Sequence, residues 1–330
     1  MKRREFITLL GGVSVAWPLA ARAQQPGGMR RVGVMIQLAE TDPEGQARMA
    51  AFREELQKLG WSVGKNLQID YRWGTFNDER ARVAAAALLN LAPNAIFANS
   101  TVCLRAAQQA TRTVPIVFTT VIDPVGQGLV ASLARPGGNT TGFSYLESSV
   151  GGKWLDLLKE IAPNVTHVAF MFNPQRGPYS VAISRFAEEA AQKLGMQYVA
   201  APVYEPPEIE TVLTTLAQQS GGGLIVSPDA FTVTHGADII GMTARYWLPS
   251  IYAERNFAAA GGLISYGADY IDHFRQAATY VDRILRGEKP ADLPVQQPSK
   301  FYLVINMRTA KALGLTIASS MQLLADEVIE

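Results

Sequence analysis

The sequence predicts an α/β protein built as two lobes, each a parallel sheet covered by helices on both faces. Three observations predict it. Short apolar runs alternate with amphipathic helical stretches, the rhythm stops and restarts mid-chain, and a helix and a strand are left over near the C-terminus. Alternating buried strands and helices are the pattern of a parallel βαβ sheet. At 330 residues the chain is also longer than one hydrophobic core comfortably fills.

The first residues stand apart from this rhythm. Lys2, Arg3 and Arg4 precede an apolar run from Phe6 to about Ala21, followed by Ala21-Arg22-Ala23. A positive start, a short apolar stretch and a small-residue site describe a secretory signal peptide over residues 1–23. Arg3-Arg4 ahead of Glu5-Phe6-Ile7 resembles a twin-arginine export signal. The mature chain is therefore expected to begin near Gln24, in the periplasm.

In the first half, strands are expected at RVGVMI (31–36), LQIDYRW (67–73), AIFANS (95–100) and IVFTT (116–120). Helices are expected at 45–60, 78–90 and 103–112. In the first of these Met49, Phe52, Leu56 and Leu59 recur at three- and four-residue spacing, and Gly60 closes it. ARPGGNTTGFSY (134–145) reads as a turn followed by an extended segment. The second half restarts with strands at 166–173, 196–203, 223–229, 249–254 and 262–267. Helices at 179–195, 208–219 and 234–246 lie between them. A long amphipathic helix spans about Asp269 to Arg286, before Gly287 and Pro290. The strand YLVIN (302–306) and a helix from Met307 to Leu313 complete the pattern, so the chain crosses between lobes more than once.

Composition excludes several functions. Without residues 1–23 the chain carries 26 basic and 28 acidic residues, a formal charge of −2, which does not suit nucleic acid. No later segment is long and apolar enough to span a membrane. Cys103 is the only cysteine, so there is no disulfide within the chain, and it reads as a small buried apolar residue. Phosphate-loop, dinucleotide and nucleophile-elbow motifs are absent. His167, His235 and His273 lie far apart and read as surface or helix-face residues. No metal, cofactor or catalytic residue is expected.

Polar residues do recur at the carboxyl ends of the strands. They include Gln37 through Asp42, Asn99-Ser100-Thr101, Thr119-Thr120 with Asp123, Asn173, Ser227 with Asp229, Tyr252 through Arg255, and Tyr266 with Asp269. Each cluster alone could cap a helix. Open α/β sheets, however, bind ligands outside these strand ends, and two facing lobes would gather all the clusters at one cleft.

The stretches TVPIVFTTVIDPVGQGLVASLARPGGNTTGFS (113–144), SYGADYIDHFRQAATYVDRILRGEKPADLPVQQP (265–298) and LVINMRTAKALGL (303–315) carry a likeness. They resemble the ABC transporter substrate-binding proteins of the tryptophan/tyrosine-type family, over essentially the whole mature chain. The resemblance implies a type I periplasmic-binding-protein fold: two Rossmann-like lobes joined by crossover strands, with the ligand closed between them. Crossings would fall near Thr140–Tyr145, Ser265–Ala268 and Pro294–Lys300. Lobe 1 would comprise 29–144 with 268–296, and lobe 2 would comprise 145–267 with 297–330.

The family's better-known members bind aromatic amino acids, and the resemblance implies a division of labour. A ligand carboxylate would rest on the helix start at Ser100 and Thr101, aided by Thr119 and Thr120. Asp229 and Asp269 would face an ammonium, while Tyr252, Tyr266 and Phe231 would pack a side chain. The turn NSTVC and the segment PDAFTVTHG depart from the aromatic-amino-acid members, which keeps a plain carboxylic acid open as ligand. The expected function is capture of a small solute for an ABC permease with a cytoplasmic ATPase, by a monomer. A ligand-presenting sensor of the same fold is the alternative, and an exported enzyme a more distant one. A DNA-binding repressor of this architecture is excluded by the export signal and the acidic mature charge.

Overall fold

The computed structural model describes residues 28–330. The signal peptide, the twin-arginine pair and the cleavage site lie outside the described residues. The chain begins β1 (Arg30–Ile36), α1 (Pro43–Lys58), β2 (Leu67–Arg72), α2 (Asp78–Leu89), β3 (Ala95–Asn99) and α3 (Thr101–Ala110). It continues β4 (Ile116–Val121), β5 (Thr140–Ser144), α4 (Val150–Ile161), β6 (His167–Phe172), α5 (Ser180–Lys193), β7 (Gln197–Pro202) and α6 (Pro206–Ala217). Next come β8 (Gly222–Val226), α7 (Ala230–Thr234), α8 (Gly236–Arg245), β9 (Ser250–Tyr252), α9 (Arg255–Ala259), β10 (Ile264–Ala268) and α10 (Tyr270–Leu285). The last elements are β11 (Phe301–Asn306), α11 (Met307–Ala312), α12 (Ser319–Leu324) and β12 (Glu327–Ile329).

Two sheets result. The first has the order β2-β1-β3-β4-β5, all parallel. The second runs β12-β11-β10-β9-β8-β6-β7 and is parallel except at the β10–β11 pair. Both are mostly parallel sheets, as the alternating pattern predicts, and both are sandwiched. On the first sheet, Val32, Val34, Ile36, Phe97 and Phe143 face α1 and α10, while Met35, Ile96 and Phe118 face α2 and α3. On the second, Val168, Phe170, Ile225 and Ile305 pack with α4 and α5, and Met171, Leu224 and Val226 pack with α6 and α8.

The chain passes between the sheets three times: after β5, between β10 and α10, and before β11. The last passage is tied down where Gln296 N donates to Gly142 O at 3.0 Å and Ser144 N donates to Gln296 O at 2.8 Å.

Helix starts follow cap chemistry. Asp42 accepts from the N–H groups of Glu44 and Gly45 with Pro43 opening α1, Asn77 caps α2, and Glu205 with Glu208 forms a capping box on α6.

Two features escape the periodicity. The sequence pattern is silent between Tyr145 and Thr166, yet α4 fills most of that gap and buries Trp154, Leu155 and Leu158. Its opening pair Gly151-Gly152 looks like a break. A Cβ on Gly151 would lie 2.2 Å from the Ile183 carbonyl oxygen, so the glycine is what lets α4 approach α5. The helix expected over 234–246 is α8, and a short helix that the pattern does not predict, α7, precedes it on the Asp229 cap and meets it at His235. Among the described residues no helix is long and apolar enough to cross a membrane. No group of three or more His, Cys, Asp or Glu among them could hold a metal ion.

Candidate functional site

The strand ends of both sheets open on a cleft of about 360 Å³. Of the residues singled out in the sequence, Gln37, Asn99, Ser100, Thr101, Thr120 and Asp229 line it.

The wall from the first sheet is built on distorted backbone. Ser100 caps α3 at φ 120° and ψ 163°, a region that side chains strongly resist, and its Oγ accepts from Cys103 N at 3.3 Å. Thr120 stands at φ 60°, at the irregularity where the β4–β5 register shifts. Its Oγ accepts from Asn99 Nδ2 at 2.8 Å. These turns bring the first turn of the ten-residue α3 to the cleft. Its leading N–H groups have no intrahelical carbonyl to bond and attract an anion. Cys103 is buried, as expected, and contacts the Thr75 hydroxyl at 3.0 Å.

The wall from the second sheet is acidic. Asp229 caps α7: its Oδ1 accepts from Phe231 N and Thr232 N, and its Oδ2 accepts from Asn173 N at 2.8 Å. Burial pushes its carboxyl up to about 6, against the pull of those N–H bonds. Glu254, just after β9, accepts from the Tyr270 hydroxyl at 3.0 Å and is also raised by burial. Neither Asp229 nor Glu254 makes an ion pair among the described residues, although both line the cleft.

The other sequence candidates lie elsewhere. Asn173 accepts from Gln175 N and Arg176 N, and Ser227 exchanges a hydroxyl bond with Ser180, so both are spent inside the second lobe. Tyr252 is buried, with its hydroxyl bonded to Ser250 and Thr243 and its ring stacked on Phe257. Tyr266 stacks on Phe301 at 5.1 Å. Asp269 is the cap of α10, accepting from Ile271 N and Asp272 N. Thr119 is buried, and its hydroxyl has no partner among the described residues. Asp123 turns back to accept from Gly126 N, and the Phe231 ring packs on His235. The histidines also differ from a surface reading. His167 and His273 are buried, and burial lowers His273 to about 4.

Sequence reasoning missed most of the aromatic and charged floor of the cleft, namely Arg48, Tyr145, Tyr179 and Tyr270, whereas Glu254 falls within the strand-end cluster from Tyr252 to Arg255. Tyr270 stacks on Tyr145 at 4.5 Å and carries the Arg48 guanidinium 3.5 Å above its centroid. A signal existed for Arg48. It shares the i, i+4, i+8 row of α1 with Phe52 and Leu56, a charged residue on the buried stripe.

Residues 32–329 match the model of a family described as ABC transporter substrate binding protein. The chain belongs to that family. A Tyrosine-binding protein of Clostridioides difficile (strain R20291) is 27% identical over 265 residues, covering 80% of this chain and 75% of the relative. A conserved domain protein of Vibrio cholerae is 30% identical with a TM-score of 0.80, covering 91% of this chain and 99% of that one. The fold is shared with an ABC domain from Streptococcus pneumonia in complex with L-Trp. That match has 22% identity and a TM-score of 0.81, covering 92% of this chain and 100% of the other. This ABC substrate-binding protein therefore has the type I periplasmic-binding-protein fold and captures a small solute for a membrane permease, outside the cytoplasm.

Proposed function

We propose that the captured solute is an α-amino acid held as its zwitterion. Its carboxylate would rest on the first turn of α3, at Ser100 and Thr101, with Thr120 and Asn99 alongside. Its ammonium would face Asp229, and its side chain would lie against Tyr145, Tyr179 and Tyr270. One observation carries this reading: a buried carboxylate, Asp229, lines the cleft without an ion-pair partner among the described residues, opposite a helix start that favours an anion. A relative named Tyrosine-binding protein and a structural neighbour in complex with L-Trp support the same class.

Capture proceeds by closure of the lobes, 29–144 with 268–296 against 145–267 with 297–330, because a ligand touching both walls stabilises the closed state. Export by the twin-arginine route, a mature start near Gln24 in the periplasm, and a monomeric carrier without enzymatic activity complete the proposal.

A thermal-shift screen of the mature protein tests it, with amino acids set beside their amine-free acids. A ligand at 100 times its Kd stabilises by about 2.7 kcal/mol, a rise of a few degrees for a chain this size. Shifts with amino acids and not with the acids support the zwitterion, and shifts with the acids alone reject it.

A further inference from the structure

The Arg48 side chain is 7% exposed and lines the cleft. Its single hydrogen bond among the described residues runs from Nη2 to Glu44 Oε1, one helical turn back. Its Nε is buried without a hydrogen-bond partner among the described residues. Buried donors in folded proteins are nearly always satisfied, so an unpaired guanidinium N–H in a cleft wall calls for a partner.

The guanidinium is also held rigidly. It lies 3.5 Å over the Tyr270 ring, and Tyr145 stacks on the same ring at 4.5 Å, which requires the two to occupy opposite faces. Tyr270 in turn donates its hydroxyl to Glu254 Oε1. The second oxygen of Glu254 accepts no hydrogen bond among the described residues, and Glu254 makes no ion pair with Arg48. A fixed donor and a fixed acceptor thus belong to one array, Arg48 on α1 and Glu254 just after β9.

Charge decides what group fits. Arg48 is already balanced by Glu44, and a second acid, Glu254, lies within electrostatic reach of it. A carboxylate or phosphate would add like charge to a buried place that already has an excess of it, and a cation would meet Arg48. A neutral group that both accepts and donates satisfies both sides. We propose that Arg48 is a specificity-determining residue. With Glu254 it reads a neutral hydroxyl or carboxamide at the far end of the solute's side chain, a role that rests on the amino-acid reading of the cleft.

The test is isothermal titration of the mature protein with matched ligands: L-tyrosine against L-phenylalanine, and L-glutamine against L-glutamate. The amine-free pair 3-(4-hydroxyphenyl)propionate and 3-phenylpropionate is run beside them. The hydroxyl or amide member of at least one pair should bind tenfold or more tighter. Arg48→Met should bring that ratio to near one while leaving the affinity of the weaker member within about threefold. Arg48→Lys, which keeps charge and length without the planar fork, should lose most of the ratio. It serves as the readout should the Met variant unfold. Glu254→Gln should reduce the ratio as well.

Preference within the amine-free pair alone, abolished by Arg48→Met, upholds this role and rejects the zwitterion. A ratio unchanged by both Arg48 variants, tightest binding by L-glutamate, or no binding by any member overturns it.

Discussion

The two walls of the cleft are made from similar βα units, yet they present their polar residues in opposite ways. On the wall from the first sheet, Asn99, Ser100, Thr101 and Thr120 face the cleft, and the backbone is distorted to put them there. Ser100, Thr120 and Asp123 have φ of 120°, 60° and 47°. On the other wall, Asn173, Ser227 and Tyr252 occupy comparable strand ends, but they bond to their own lobe. The second lobe offers acids instead, in Asp229 and Glu254. The lesson is that a polar strand end reaches the cleft according to where the backbone aims it, and backbone held in sparsely populated conformations marks the first wall.

The largest effect that would break this comparison lies at Asp229. Asp229→Asn keeps an acceptor for the α7 cap but removes the charge. Titration should show amino-acid affinity falling about a hundredfold or more, while amine-free acids change less than about threefold, since a charged pair in a desolvated site is strong. Equal losses for both classes would mean that the acidic wall does not distinguish them.

Next come two glycines that separate stability from binding. A Cβ on Gly142 would lie 2.1 Å from the Phe118 carbonyl oxygen, beside the strained Thr120, whereas Gly151 is remote from the cleft. Denaturant unfolding should show each alanine variant losing about 1–3 kcal/mol from overpacking. Only Gly142→Ala should also weaken ligand binding. Matching binding losses in the two would erase the asymmetry between the lobes.

Ser100→Gly should be milder. It relieves a conformation worth about 1–3 kcal/mol of strain but drops the cap to Cys103 N, worth about 1 kcal/mol. Unfolding should therefore show stability unchanged or slightly raised. Affinity should still fall about tenfold through loss of the hydroxyl, and a large loss of stability would show that Ser100 is unstrained.

The smallest effect is a pair of opposed pH slopes. Asp229, raised to about 6 by burial, contributes stability that is present below its unfolded value of 3.8 and lost as pH rises through about 6. Glu254, also raised, acts in the same direction. His273, lowered to about 4 by burial, contributes stability present above 6.5 and lost as pH falls through about 4. Urea unfolding between about pH 4 and 6 should thus show only a shallow fall in stability with rising pH, the two acids outweighing the one imidazole. His273→Gln should make stability fall more steeply with rising pH, by up to about 1.4 kcal/mol per unit for each titrating acid, and Asp229→Asn should tilt it the other way.

The residues that were legible in the sequence were those whose physics is local. Strand–helix alternation gave both sheets, and Asn99-Ser100-Thr101 after β3 announced a helix start at a strand end. What escaped depended on contacts across the fold. Gly151 reads as a helix breaker until Ile183 of α5 is seen against it. Tyr252, Tyr266 and Asp269 resemble pocket residues by position, but Ser250, Phe301 and the N–H groups of α10 occupy them. Glu254 and Tyr270 lie sixteen residues apart, and only the return of the chain after β10 makes them neighbours. Arg48 was readable in principle, as a charge on an apolar stripe.

The central claim is that the cleft receives an ammonium at Asp229, and proton counting tests it most directly. Calorimetric titration of a bound amino acid at pH 6, in two buffers of different ionisation heat, measures the protons exchanged on binding. Pairing with a cation lowers a carboxyl that stands near 6 in the free protein, so about half a proton should be released, and Asp229→Asn should abolish the release. No release, or uptake, by the unsubstituted protein would contradict the account.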